Sequence, residues 1–556
     1  GACQPTDGPA PAAPAAVQPA ERAAQLQKLY EDFWEASLQL NPLQATFVGD
    51  PRYNDQLPNF FSAEYRAQAR AFTERWLRTI ESVGSEGLDG QDLLSYEIFV
   101  RDAKITLEGE QFPGWMLPVN QFYNIASTVV QLGSGTGAQP FKTVQDYDNW
   151  RKRGARMPEL FDQSIANSRV GMQSGVVQPR ALMVKVLPQL DALIKTKAED
   201  TLFWAPIKNL PASFSEADKA RITAEYRQMI EGELLPAYKR LRSFIKDEYM
   251  PKTRTSAGMA ALPDGEAWYA FNARSSTTTD LTPAQIHQIG LDEVARIHGE
   301  MRKVMAEVGF KGSLQEFFEF TRADPRFYHT SREDYLADAA RFMAAMEAKL
   351  PEFFETLPKD PLVIKPVEAF REKSAGKAFY QSPAPDGSRP GTYYVNLYNL
   401  ADMSKNELEA LAYHEGIPGH HLQRSIQTGL GDVPPFRRFG GVTAYSEGWG
   451  LYTEELGKDM GFYTDPYSDF GRLGMELWRA GRLVVDTGLH HKRWSREQAM
   501  AWLTENTPNP PGDIEKAIER YIVYPGQATA YMIGKLKIME LREKARGELG
   551  TKFDIR

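Results

Sequence analysis

Apolar residues in ERAAQLQKLYEDFWEASLQL, Glu21 to Leu40, recur at three- and four-residue steps, the period of an amphipathic helix. The same period runs through ADKARITAEYRQMIEGELLPAYKRLRSFIKDEY, Ala217 to Tyr249, and REDYLADAARFMAAMEAKLPEFFETL, Arg332 to Leu357. A further helix is predicted from Leu281 to Met305. Thr282 can cap it, and Pro283 sits at its first position, where a missing N–H costs little. The polar tract Ser275 to Asp280 reads as the join between an N-terminal helical half, 23–274, and a C-terminal half, 275–556. Both halves are expected to form one unit.

The period changes to two at GTYYVNLYNL, Gly391 to Leu400, where β-branched and aromatic residues follow a turn-rich loop. A short strand is expected there, either an edge that takes a peptide by β-augmentation or an ordinary structural strand. Helical spacing resumes at once. Ser404 followed by Glu407 is a capping box, and NELEALAYHEG buries Leu408 and Leu411. That helix ends in His414 and Glu415, and then Pro418 interrupts it, since its ring presses on the carbonyl of residue 414. The chain must bulge or break between Glu415 and His420.

The break bears on chemistry. In an unbroken helix His420 is turned about 240° from His414 and lies about 9 Å along, too far to share one ion. A bulge absorbing two extra residues brings His420 to the place of the second ligand in His-Glu-x-x-His. His421 is the rival ligand; it faces almost the same way as His414, but about 10 Å up an ideal helix. His420 is favoured. The chain has eight histidines, and five of them lie between 414 and 491. Glu415 follows the first ligand directly, where a general base belongs. TAYSEGWGLYTEELG reads as a helix with Glu447 near its start, a third ligand that leaves the fourth position of a zinc ion to water. Glu454 and Glu455, further along, read as a solvated face.

Composition narrows the partners. Of 556 residues 42% are hydrophobic and 25% charged, with a formal net charge of −8, so a core is available and a basic nucleic-acid surface is not expected. No run of about 18 apolar residues would span a membrane. The one cysteine, Cys3, excludes an internal disulfide. A chain beginning Gly-Ala-Cys resembles a processed bacterial lipoprotein with a lipid anchor on Cys3. Residues 1–22, rich in Ala and Pro, then read as a disordered tether. This points to the periplasm or the envelope.

Five motifs, YHEGIPGHHLQ, SEGWGLYTE, TDLTPAQIH, RLVVDTGLHHKRWS and YPGQATAYMIGK, together resemble the bacterial family labelled domain of unknown function 885. That family is similar to helical zinc metallopeptidases, the gluzincins of the thimet oligopeptidase, Taq carboxypeptidase and angiotensin-converting enzyme kind. In those the motif is often His-Glu-x-Gly-His, which Gly419-His420 matches. Dipeptidyl peptidase III is similar too, with one inserted residue where this chain has two. Glu447, 27 residues after His420, matches their downstream glutamate ligand. The resemblance implies a mainly α, large helical metallopeptidase-like fold with a deep cleft and a short β-sheet near the metal. It also implies zinc as cofactor and short peptides as substrate.

Supporting residues follow from that chemistry. The oxyanion of a tetrahedral intermediate needs a donor beside the metal. Tyr531 is preferred, with Tyr524 behind it, since the peptidases resembled here use tyrosine or histidine from their C-terminal part. Arg479, Arg482, Asp486 and His490 share one helical face, with Arg482 and Asp486 as an i,i+4 pair. Either that is a structural ion pair, or Asp486 orients a ligand histidine; His490, like His421, is an alternative ligand or a support behind the ligands. Arg482 would grip a substrate carboxylate. Tyr394 and Asn396 would face the cleft. The expected reaction is hydrolysis with Glu415 as base and a tyrosine steadying the oxyanion. The alternatives are a non-catalytic lipoprotein that binds peptides or envelope fragments, and a zinc hydrolase acting on another amide.

Overall fold

The computed structural model describes residues 16–369, 372, 375–383 and 389–556. Cys3 and the first part of the expected tether lie outside the described residues. The fold is mainly α, with 69% of the residues helical and one small sheet. Ten of its helices concern the site and its frame. They are α1 Pro19–Leu40, α2 Val144–Ser174, α3 Gly265–Thr277, α4 Pro283–Glu307, α5 Lys405–Glu415, α6 His420–Thr428, α7 Thr443–Asp459, α8 Pro466–His490, α9 Pro511–Val523 and α10 Ala530–Leu549. Among the described residues no helix is long and apolar enough to cross a membrane.

The N-terminal residues build a core of their own around α2, where Trp150, Met157, Leu160 and Phe161 pack with Tyr226 and Tyr238. The C-terminal core is organised by α8, in which every residue from Ala480 to His490 is buried. An α-helix buried all round belongs at the centre of a large core. It packs against α4 along one side and α5 on another. The expected join between halves falls on the end of α3: Ser275 to Thr277 are its last turn, and Thr278 takes a left-handed φ of 57°. Helix α3 packs against α7 and α10. Thr282 does cap α4, in a full capping box with Gln285.

The sheet joins β1 (Leu362–Pro366), β2 (Ala378–Gln381) and β3 (Gly391–Val395) in the order β1-β3-β2. Strand β3 is parallel to β1 and antiparallel to β2. The strand expected at Gly391–Leu400 is therefore present over its first half, and it is central. Both its edges are paired, so it has no backbone to offer a peptide. All five of its residues are buried, which suits a strand covered on every side. It ends at Val395 because Asn396 turns its amide into the loop, with Nδ2 donating to the carbonyls of Glu372 (2.7 Å) and Ala375 (3.0 Å).

Helices α7 and α10 approach through glycines. A Cβ on Gly448 would lie 2.6 Å from the carbonyl carbon of Gly534. Only glycine permits this contact, and it sets Glu447 on α7 beside the first turns of α10, where Tyr531 sits.

Candidate metal centre

The chain does break between Glu415 and His420, and its hydrogen bonds show how two extra residues are absorbed. Gly416 N donates to Ala412 O, four residues back, at 2.8 Å. Gly419 N then reaches Tyr413 O, six back, at 2.9 Å, and His421 N reaches Gly416 O, five back, at 3.0 Å. Helical spacing returns with Gln423 N to Gly419 O at 3.1 Å. The loop Gly416–Gly419 thus takes up the surplus and restarts the helix at α6. A Cβ on Gly419 would overlap the carbonyl oxygens of His414 and Tyr413, so this position needs glycine. Trp449 of α7 fixes the turn, donating from Nε1 to Pro418 O at 2.9 Å.

The break brings the His414 and His420 rings to 4.7 Å between centroids, nearly perpendicular. Glu447 lies between them: its Oε2 is 3.4 Å from His414 Nε2 and its Oε1 3.5 Å from His420 Nε2. The three residues offer donor atoms all within 4.8 Å of one another. Two donors on a tetrahedral zinc, each about 2.05 Å from the ion, stand about 3.3 Å apart. The donor set and its spacing fit such an ion.

Glu454 corrects the sequence reading. It is buried, and its Oε2 accepts from His414 Nδ1 at 2.8 Å. With a cation in place, that bond would keep the proton on Nδ1 and leave the Nε2 lone pair for the ion. Arg479 stands behind it, with Nη1 3.5 Å from Glu454 Oε1. Glu447 and Glu454 are seven residues apart, two turns of α7, and therefore share a face. That spacing was the available signal. Gly450, between them, leaves room for the imidazole: a Cβ there would lie 2.7 Å from His414 Cε1.

Electrostatics follow from this enclosure. Burial pushes His414 down, but the bonds to Glu447 and Glu454 outweigh it and hold the imidazole up at about 10. Burial raises Glu447, yet the two histidines hold its carboxyl well below the usual range. Glu415 is raised by burial, against the pull of His414 and His420. Its Oε2 is buried with no hydrogen-bond partner among the described residues, as is His420 Nδ1.

The other expected residues separate into those nearby and those engaged elsewhere. His421 is held on both nitrogens: Nδ1 accepts from Tyr380 Oη at 2.7 Å, and Nε2 donates to Asp360 O at 2.9 Å. It pins α6 to the sheet and has no lone pair left for a metal. His490 is held likewise, Nδ1 accepting from Met259 N (3.0 Å) and Nε2 donating to Tyr521 O (2.8 Å), and burial brings it down to about 3. Asp486 does not orient a ligand histidine. Its Oδ2 accepts from Tyr269 Oη (2.6 Å) and Gly526 N (3.0 Å), while burial raises it to about 7. The expected Arg482–Asp486 pair is absent among the described contacts. Arg482 instead donates from Nε to Tyr521 Oη at 2.9 Å and lies 4.6 Å from the centre of the Tyr531 ring.

Tyr531 accepts from Arg520 Nη2 at 3.2 Å. Burial raises its phenol, and the Arg482 and Arg520 guanidiniums outweigh that and lower it, with the Glu447 charge opposing them. Arg520 escaped the sequence reading because it lies on a different helix, α9. Tyr524 sits in the turn after α9, against Phe122 at 6.2 Å and Tyr123 at 6.3 Å. Tyr394 stacks on Phe379 at 4.8 Å within the sheet. Asn396 is committed to its own loop, as described above.

Comparison with known proteins agrees with this fold. The crystal structure of a protein described as a "putative lipoprotein" from Colwellia psychrerythraea is similar at 30% identity and a TM-score of 0.87, over 96% of this chain and 95% of that one. A "putative lipoprotein of unknown function" from Shewanella oneidensis shares the fold at 18% identity and a TM-score of 0.75, over 97% and 96%. No curated protein matches the chain. The profile of the bacterial proteins of unknown function designated DUF885 matches residues 42–556, and the chain belongs to that family.

Proposed function

We propose that the protein is a zinc-dependent peptidase that hydrolyses short peptides in the bacterial cell envelope. One observation carries the reading. A buried carboxylate, Glu415, keeps an oxygen without a partner among the described residues, next in sequence to the first of three convergent metal-type donors. An unpaired buried oxygen costs free energy, and Glu415 Oε2, unlike the equally unpaired Asp486 Oδ1, accompanies a convergent set of metal-type donors.

His414, His420 and Glu447 would hold the ion, with Glu454 orienting His414. A zinc ion held there would supply a Lewis acid that activates water near neutral pH. Glu415, raised by burial, is suited to take a proton from the attacking water and pass it to the leaving amine. Tyr531 is suited to donate a hydrogen bond to the oxyanion, because neighbouring guanidiniums favour negative charge at its phenol. His414 is 3% and Glu415 8% exposed, so a folded protein surface would not reach them, and an extended short peptide is the fitting substrate. The envelope is favoured because both solved relatives are described as putative lipoproteins.

The test is elemental analysis of protein purified without chelator, paired with cleavage of a mixed peptide library by the parent and by Glu415→Gln. About one zinc per chain and cleavage lost in the variant are expected. Absence of any transition metal, with no uptake of added zinc, would sink the reading.

A further inference from the structure

Helix α8 carries a buried cation with no carboxylate ion-pair partner among the described residues. Arg482 is 9% exposed, and its Nε donates to Tyr521 Oη. Its Nη1 is sealed from solvent with no hydrogen-bond partner among the described residues. No acidic side chain forms an ion pair with it there; Glu447 acts on it only through space. An unpaired buried charge is strongly destabilising, so its retention asks for a reason. A second guanidinium converges on the same spot. Arg520 Nη2 donates to Tyr531 Oη at 3.2 Å and to Gln527 Oε1 at 3.0 Å, and it too has no ion-pair partner among the described residues. The two arginines thus flank Tyr531, one over its ring and one at its hydroxyl.

We propose that Arg482 and Arg520 bind the free C-terminal carboxylate of the substrate, so that the protein cleaves near the C-terminal end of its peptides. This rests on the peptidase reading and names its substrate class. A guanidinium is a planar fork that matches a carboxylate with two parallel bonds. A terminal carboxylate is the one anion that every unmodified peptide carries.

The experiment uses one peptide in three forms: free acid, C-terminal amide, and amide with glutamate as the last residue. Cleavage is measured with the zinc-loaded parent, and binding by calorimetry with zinc-loaded Glu415→Gln. The acid is expected to exceed the amide about 100-fold in kcat/KM and in affinity. Arg482→Lys should cut that preference below about tenfold, through KM, with zinc content retained. Arg520→Gln, at a half-buried site, should lower it as well, and serves where Arg482→Lys does not fold. Equal binding of acid and amide overturns the inference, and cleavage of both leaves the peptidase standing. Preferred binding of the acid without cleavage of any form keeps the carboxylate site and overturns the peptidase. Preference for the glutamyl amide shifts recognition to acidic side chains and overturns the terminal carboxylate. An equal loss of kcat on acid and amide in Arg482→Lys makes the arginine a transition-state group, and also overturns it.

Discussion

Two buried clusters of histidine and carboxylate lie in this molecule, and they differ in what the ring nitrogens touch. In the first, His414, His420 and Glu447 turn their donor atoms toward one another, and two neighbouring atoms, His420 Nδ1 and Glu415 Oε2, have no partner among the described residues. In the second, His490 gives one nitrogen to a backbone N–H and the other to a backbone carbonyl, while Asp486 Oδ2 takes a tyrosine and a backbone amide and its Oδ1 has no partner among the described residues. The residue types are alike. A histidine with both nitrogens engaged by backbone ties helices together. A histidine whose inward nitrogen meets only a carboxylate and another imidazole is arranged for a cation. Burial alone does not distinguish them, since all of these side chains are at least nine-tenths buried except that of Glu447.

The largest expected effect breaks the first cluster through its backbone. Gly419→Ala would place a Cβ on the His414 and Tyr413 carbonyls, and neither can yield without moving His414. Zinc affinity should fall by about 100-fold or more, because a ligand displaced by about 1 Å spoils a metal site. Gly488→Ala is the counterpart in α8, between Asp486 and His490, where the Cβ would overlap the Trp494 ring. It should lower stability and leave zinc affinity alone. Competition titration against a chromophoric chelator decides both; parent-like affinity in Gly419→Ala would show that the turn does not set the ligand geometry.

Glu415→Gln comes next. Under the proposed function Glu415 is a base and not a ligand, so zinc and fold should persist while turnover drops by about two or more powers of ten. Zinc retained with parental turnover would remove Glu415 from its role and with it the contrast between the two clusters.

What the sequence made legible follows the same contrast. His414, Glu415 and His420 could be read because their spacing is local and Pro418 marks the break. Glu447 could be read from the resemblance and from helical position. Glu454 was missed because Glu-Glu near a helix end usually faces water, although its place seven residues after Glu447 put it on the ligand face. The Arg482–Asp486 pair failed because each residue finds a tyrosine from elsewhere, Tyr521 for the arginine and Tyr269 for the aspartate, although the i,i+4 pair Arg472–Glu476 does form on the same buried helix at 3.6 Å. The central place of β3 was not legible, since β1 and β2 are strands of five and four residues whose pairing depends on the whole surrounding fold.

Glu454→Gln sharpens the comparison at smaller scale. It keeps the shape and removes the charge that orients His414 Nδ1. Zinc affinity should fall by about 10- to 100-fold, the usual cost of losing a carboxylate behind a ligand histidine. The same change in the other cluster, Asp486→Asn, should leave zinc affinity at the parental value, measured by the same titration. Equal losses in the two variants would mean that the clusters are coupled through α8.

The smallest expected effect is a slope. Asp486 is raised to about 7 in the fold, from an ordinary carboxyl value of 3.8. Between those values the folded state holds a proton that the unfolded chain has released, so its contribution to stability is lost as pH rises toward 7. His490 is lowered to about 3 from 6.5. In that window the unfolded chain holds the proton and the fold does not, so its contribution is lost as pH falls. The two slopes have opposite signs over roughly pH 4 to 6.5 and largely cancel in the parent. Removing one uncovers the other, at up to about 1.4 kcal/mol per pH unit. Asp486→Asn, whose amide oxygen can still accept from Tyr269 and Gly526, should gain stability relative to the parent as pH rises from 4 to 6.5. His490→Gln should lose it over the same range. Urea unfolding of the zinc-free protein, with each variant compared with the parent at matched pH, isolates the two terms from the titration of the metal ligands. Slopes of the same sign in both variants would mean that His490 and Asp486 are not the separately buried, backbone-held groups that set this cluster apart from the metal centre.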